Sequence, residues 1–310
     1  GVADVFNPNP VIALGDHRPL LTSRGTPRVP PEAAYERVEL HDLKGNGKLD
    51  GKHVSTRLTP NRVHDAEHEY LLWNDDEGFE EVMVYYHVDQ AIRYLEKLGY
   101  TGPAAIFDEP VIANARATDE DQSWYDPGSK TLSFGTGNVN DAEDAETILH
   151  EFGHAMQDAI CPDFGQSYEA AAIGEGFSDY FAASFFAERK KKPYKAAVMT
   201  WDAITYKDFD PPSLRRLDGQ FTYSDMRWQR DHEHDNGRIW GATLWDIRNN
   251  VGRRVADKII IESHFQQDGF TTLARGARAI LDADRHLYRN RHRKALLKIF
   301  KARKIGPVDF

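Results

Sequence analysis

Residues 149–158 read LHEFGHAMQD, and the two histidines four apart within them, His150 and His154, constrain this chain more than any other stretch. Apolar residues at Ile148, Leu149, Phe152, Met156 and Ala159 keep helical spacing, and the acidic residues from Asp141 onward suit the positive end of a helix that starts near Ala145. On such a helix both imidazoles approach one cation from the same side, with Glu151 beside them as a base. Two histidines, an open coordination position and a carboxylate are the minimum equipment for metal-assisted hydrolysis. The competing reading, two solvated histidines on a surface helix, has to be weighed against the rest of the sequence.

A four-coordinate catalytic zinc needs a third protein ligand. The next helical stretch, Glu169–Glu188, is so rich in Ala and Phe that burial is expected, yet Glu175 and Asp179 sit in its middle. Buried carboxylates are costly unless they meet a cation or hydrogen-bond donors. Four apart, they share a face, so Glu175 can reach a metal while Asp179 accepts the second ring N–H of a ligating histidine. A solvated edge carrying two carboxylates is the alternative.

HEFGH together with Glu175 in GEGFSD resembles the thermolysin-like zinc metallopeptidases, and their fungalysin branch in particular. The resemblance implies an α+β, two-lobed thermolysin-like fold. Its strand-rich N-terminal lobe is expected over residues 1–160, ending in the HExxH helix, and its mostly helical C-terminal lobe over 161–310, with the zinc in the cleft between them. By the same resemblance His150, His154 and Glu175 hold one catalytic Zn2+, Glu151 is the general base and Asp179 orients a ligating histidine. His234, three residues before Gly237 and six before Trp240, matches the imidazole that donates to the oxyanion; Asp231 is expected to hold it, and His232 competes for the role. Tyr168 is the candidate for an assisting tyrosine, at a spacing slightly off the family's. Asn114-Ala115 fits an edge strand that pairs with the substrate backbone, as an edge strand's free N–H and C=O groups allow. Arg215 in PPSLRRLD matches a substrate-binding arginine, with Arg216 as the alternative. The tail stretches ILDADR and IFKARKIG resemble the fungalysin tail, and Phe177 stands where tryptophan is common.

The activity so implied is endopeptidase cleavage of a peptide or unfolded protein, by a secreted enzyme with an inhibitory propeptide. An inactive zinc-binding module and an aminopeptidase are the alternatives. The acidic cluster that binds calcium in thermolysin is largely missing: Glu146 lies one turn before His150, but the residues after the ligand helix are basic, which makes calcium dependence doubtful.

Nothing else in the composition opposes this. The 310 residues carry a net charge of -10, which argues against nucleic acid as the main partner. No apolar run is long enough to span a membrane, and no basic-then-apolar leader opens the chain. A start at Gly1 is expected of a processed or recombinant form. Cys161 is the single cysteine, so no internal disulfide forms. Residues 1–31, dense in Pro, Gly and Asn, are predicted to drape over the surface. A hairpin is expected from 37–40 and 49–58 around the turn 44–48, in preference to a calcium loop over 42–50. An amphipathic helix follows over 80–98, with His87 and Asp89 at its surface or core edge. Strands at 104–107 and 111–115, a hairpin over 123–134, a solvated charge run at Lys190–Lys192, and helices from Ile239 to Phe310 complete the expectation.

Overall fold

The computed structural model describes residues 1–306. In chain order it contains β1 (Val2–Phe6), α1 (Pro10–Leu14), β2 (Tyr35–Glu39), β3 (Val54–Ser55), β4 (Glu69–Tyr70), α2 (Phe79–Lys97), β5 (Val111–Thr118), β6 (Trp124–Asp126), β7 (Thr131–Gly135) and α3 (Ala145–Ile160). These are followed by α4 (Tyr168–Phe186), β8 (Ala197–Val198), β9 (Arg215–Arg216), α5 (Glu233–Val251), α6 (Arg253–His264), α7 (Leu273–Tyr288) and α8 (Arg293–Ala302). No helix among the described residues is long and apolar enough to cross a membrane. The chain forms two compact units, Gly1–Ala155 with Phe185–Arg215, and Met156–Ser184 with the residues from Arg216 onward. The first thus takes in residues 185–215, which a division at 160 assigns to the helical half.

In the first unit β1 is the middle strand of three, antiparallel to β2 with Phe6 opposite Tyr35, and parallel to β4. Ala3, Val5 and Phe6 are fully buried, and the Phe6 and Phe79 rings meet edge to face at 4.9 Å. Residues 2–12 therefore do not drape over the surface, whereas 15–31 are mostly exposed or half-buried, as expected. Asn9 caps α1 by accepting the Ile12 N–H at 3.0 Å, and Val11 and Ile12 enter a cluster with Trp201 and Ile204. The hairpin expected from 37–40 and 49–58 is also corrected: β2 finds its partner in β1, and 49–58 keeps only two-residue β3 and isolated bridges. A helical turn at Gly102–Ala104 replaces the strand expected at 104–107.

The second sheet has the order β3-β5-β7-β6, with β6 and β7 making the expected hairpin. Strand β5 is interior only at Val111 and Ile112, where β3 pairs with it; at Ala113 and Asn114 its ladder partner is β7 alone. Helix α2 packs on β5 and β1. His87 and Asp89 on it are buried, contrary to a surface or edge position. His87 Nε2 lies 2.8 Å from the Phe6 carbonyl, and Asp89 takes His53 Nδ1 at 2.8 Å and Arg93 Nε at 2.7 Å, so each polar group is satisfied where it is buried.

In the second unit α6 packs against α5 and α7, and α8 against α5 and α7. The helical region starts at Glu233 rather than Ile239, and the last positions of the expected stretch, 307–310, lie outside the described residues. Ile259 and Ile260 are buried on α6, whereas Phe265, just past its end, is exposed.

Candidate active site

Asp144 starts α3: its carboxylate accepts the Glu146 N–H at 3.0 Å and its carbonyl accepts from Ile148 N, the arrangement of an N-cap. Ile148, Leu149, Phe152 and Met156 are buried and fix the rotation of the helix. That rotation turns His150 and His154 to one side, with Nε2 of one 3.2 Å from Nε2 of the other and the rings nearly perpendicular at 80°. Glu151, next to His150, is buried as well.

Two imidazoles that face each other through Nε2 suit a cation. Zinc–nitrogen bonds of about 2.0–2.1 Å at a tetrahedral angle put two ligating nitrogens about 3.3–3.4 Å apart, close to the observed 3.2 Å. One ligand atom from each of His150, His154 and Glu175 lies within 4.8 Å of the other two, so the sequence-derived trio comes together. Two nitrogens and one carboxylate oxygen form the donor set of a catalytic zinc with a position left open.

Glu175 and Asp179 lie on α4, and three glycines determine how closely α5 approaches them. A Cβ on Gly176 would stand 2.5 Å from the Gly237 carbonyl and 2.6 Å from Gly241 N, and one on Gly237 would stand 2.7 Å from Glu175 Cβ. The two backbones touch, which only glycine permits. The contact brings the first turn of α5 to Glu175, with His234 Nε2 3.2 Å from Glu175 Oε2. His234 remains 57% exposed at its side chain, within reach of a ligand, while Glu175 is 12% exposed. His232 turns elsewhere: its Nδ1 is 3.2 Å from Asp235 Oδ2, which also takes Arg227 Nη1 at 2.7 Å. Of the two histidines, His234 is the one beside Glu175. Sequence reasoning passed over the glycines, although the spacing Gly237-x-x-x-Gly241 was a usable signal.

The remaining expected residues are more dispersed. Asp231, at φ 63°, makes no hydrogen bond to His234 among the described residues. It lines, with Tyr168, Gln166, Arg230, Glu233 and Phe270, a pocket of about 560 Å³. Tyr168 is the first residue of α4, two turns or about 10 Å along the axis from Glu175. Arg215 lies in the short β8–β9 ribbon, and Arg216 bridges Asp218 through two bonds of 3.0 and 2.7 Å. Ala115 N donates to Thr59 Oγ1 at 3.0 Å and Asn114 Oδ1 accepts from Arg116 N at 3.1 Å, so β5 does not present the free Ala115 N–H that an edge strand would.

The charge run after α4 is likewise not solvated throughout. Lys190 is buried with its ammonium on Glu146 Oε1 and a 2.6 Å bond to the Ala197 carbonyl. Burial pushes the Glu146 carboxyl up to about 7, with Lys190 pulling it back down. A lysine therefore meets the one acidic residue that the resemblance set beside a calcium site. Around it, burial also drives Glu143 up to about 8, although Trp201 Nε1 donates to it at 2.9 Å.

The family model of the fungalysin metallopeptidases (M36) matches residues 134–308. This chain belongs to that family. The fungalysin match takes in both helices of the metal trio and the helix that carries His234. Among relatives, the chain is similar to extracellular metalloproteinase 2 of Trichophyton tonsurans, 23% identical over 196 residues, and to extracellular metalloproteinase 3 of Trichophyton equinum, 23% identical over 192 residues. Each alignment covers 53% of this chain and 30% of the relative, so the chain spans about 30% of the length of these fungalysin relatives. A solved structure, the precursor of protealysin, a metalloproteinase from Serratia proteamaculans, superposes with a TM-score of 0.59 at 11% identity, over 86% of this chain and 91% of that one. The fold is thus α+β and thermolysin-like.

Proposed function

We propose that this fungalysin-family chain is a zinc-dependent endopeptidase, with His150, His154 and Glu175 as the metal ligands. The observation that carries the proposal is the grouping of those three ligand atoms within 4.8 Å, the histidine nitrogens at a separation suited to zinc. A zinc ion held there supplies Lewis acidity toward the scissile carbonyl and toward water. Glu151 accepts a proton from the attacking water, holds it on its carboxylate and delivers it to the departing amine. His234 donates from its imidazole to the oxygen that gains negative charge; its exposed side chain beside Glu175 supports that role. Asp179, buried and one turn beyond Glu175, is assigned the second ring N–H of a ligating histidine.

Arg215 is assigned to a substrate carbonyl by its place in the PPSLRRLD segment, with Arg216 as the alternative. Tyr168 and Asp231 are assigned to the wall of a substrate subsite, since both line one pocket. Asn114 is assigned to substrate contact through its side chain, and Ala115 to shaping the strand beside it. The substrate is a peptide or unfolded protein segment. The names of the relatives support secretion, and the precursor form of the structural neighbour supports an inhibitory propeptide.

Quenched peptides blocked at both ends and casein, given to wild type and to Glu151→Gln, test the proposal. Internal cleavage is expected, falling by about 10²–10⁴ in the variant while bound zinc is retained. Cleavage only from a free N-terminus would make the chain an aminopeptidase, and no cleavage by a folded, zinc-loaded wild type would make it an inactive binding module.

A further inference from the structure

Asp121, Asp141 and Asp202 come from three separate segments: the β5–β6 connection, the turn before α3, and the stretch after β8. One carboxylate oxygen from each lies within 4.8 Å of the other two. Asp141 and Asp202 are buried, at 2% and 6% exposure, while Asp121 is exposed at the rim. One oxygen of each buried residue has a donor: Asp141 Oδ2 accepts from Ser123 Oγ at 2.5 Å, and Asp202 Oδ2 from Thr147 Oγ1 at 3.2 Å. The second oxygens, Asp141 Oδ1 and Asp202 Oδ1, are sealed from solvent and have no donor at hydrogen-bond geometry, the Gly135 N–H approaching the Asp141 carboxylate without completing a bond to Oδ1.

Two neighbouring buried acids of this unit are better provided for, although Glu80 Oε2 also has no donor. Asp144 collects Asn9 Nδ2 and the N–H groups of Glu146, Trp201 and Asp202, and Glu146 is met by Lys190. No lysine, arginine or histidine among the described residues forms an ion pair with Asp121, Asp141 or Asp202. Leaving a buried carboxylate oxygen without donor or countercharge is among the most expensive arrangements a fold can carry. Two buried carboxylates, each with one donorless oxygen, thus stand beside a third with no countercharge from a neighbouring side chain among the described residues.

We propose that Asp121, Asp141 and Asp202 bind a hard divalent cation, calcium in the first place, at a site separate from the histidine centre. All the protein donors are oxygens, which select calcium or magnesium over zinc. Ligands drawn from three independent segments suit the variable geometry of calcium better than the rigid octahedron of magnesium. Exposed Asp121 provides the way in. The bound ion clips the β5–β6 connection and the stretch after β8 to the segment that starts α3. Burial pushes the Asp141 carboxyl up to about 7, with Asp121 adding to the crowding.

Terbium luminescence tests the proposal, because Trp201 adjoins Asp202 and the Tyr206 hydroxyl donates to Asp121 Oδ2 at 2.8 Å, so either ring can sensitise an ion held there. Zinc-loaded wild type is titrated with Tb3+ under aromatic excitation, then with Ca2+ or Mg2+ as competitor. The expected result is sensitised emission that Ca2+ displaces at concentrations about tenfold or more below Mg2+, an apparent affinity for Tb3+ about tenfold or more lower in Asp121→Asn and in Asp202→Asn, and a thermal midpoint raised by Ca2+ in wild type only. Asp121 lies at the rim, so its variant keeps the fold. The proposal is overturned if wild type gives no sensitised emission, if both variants emit as wild type does, or if Mg2+ displaces Tb3+ as well as Ca2+ does.

Discussion

Replacing Lys190 by methionine keeps the aliphatic stem and removes the charge that faces Glu146, one turn before His150. Both side chains are wholly buried, and Glu146 Oε2 also accepts the Met199 N–H at 2.9 Å. Removing one partner of a buried ion pair costs about 3–5 kcal/mol where the other stays ionised. Glu146 can escape part of that cost by taking a proton, since its folded-state value is already raised from 4.5 to about 7. The sign follows: an acid whose value is higher in the folded state binds more protons when folded, so its contribution to stability declines as pH rises through that interval. Without Lys190 the folded value rises further, and the declining interval widens. At about pH 5.5 the carboxyl is protonated with or without Lys190, and the loss is about 1–2 kcal/mol, mainly the bond to the Ala197 carbonyl. At about pH 8 the loss is expected to reach about 3 kcal/mol or more. Urea unfolding followed by tryptophan fluorescence, in a Glu151→Gln background that prevents self-digestion, measures both. A difference that does not change with pH, or one below about 1 kcal/mol at the higher pH, would refute the reasoning.

His234→Ala is expected to lower kcat by about 10²–10³ with little change in KM, as loss of a single oxyanion donor does, whereas His232→Ala should stay near wild type; steady-state kinetics on one quenched peptide separates them. Gly237→Ala places a methyl 2.7 Å from Glu175 Cβ. It is expected to cost about 1–3 kcal/mol in stability and to weaken zinc retention, read by thermal melts and by zinc content after dialysis.

The helix of His150 and His154 was readable because everything that defines it is local: the apolar stripe, the acidic start and the histidine spacing all fall within Asp141–Ala159. Glu175 was readable because a carboxylate in so apolar a helix needs a reason. The regions that misled depend on partners distant in sequence. Val2–Phe6 is too short to announce itself as a strand, and it is buried because Tyr35–Glu39 and Glu69–Tyr70 flank it. Lys190 belongs to a run of three lysines that ordinarily faces water, and only Glu146, 44 positions earlier, explains its burial. Similarly, Asn114-Ala115 resembles an edge strand by motif, while the bond from Ala115 N to Thr59 Oγ1 depends on a loop outside that motif. His234 was singled out by its spacing to Gly237 and Trp240, and the glycine contact between α4 and α5 is what brings its turn of α5 beside Glu175.

The central claim, one zinc held by two imidazoles and a carboxylate, is tested most directly by metal content and X-ray absorption on purified wild type and Glu175→Ala. Wild type is expected to carry one equivalent of zinc, bound only by nitrogen and oxygen donors at about 2.0–2.2 Å, and Glu175→Ala to lose it under dialysis that leaves wild type loaded. A wild type that takes up no zinc, or a variant that holds it equally well with an unchanged absorption spectrum, would contradict the claim.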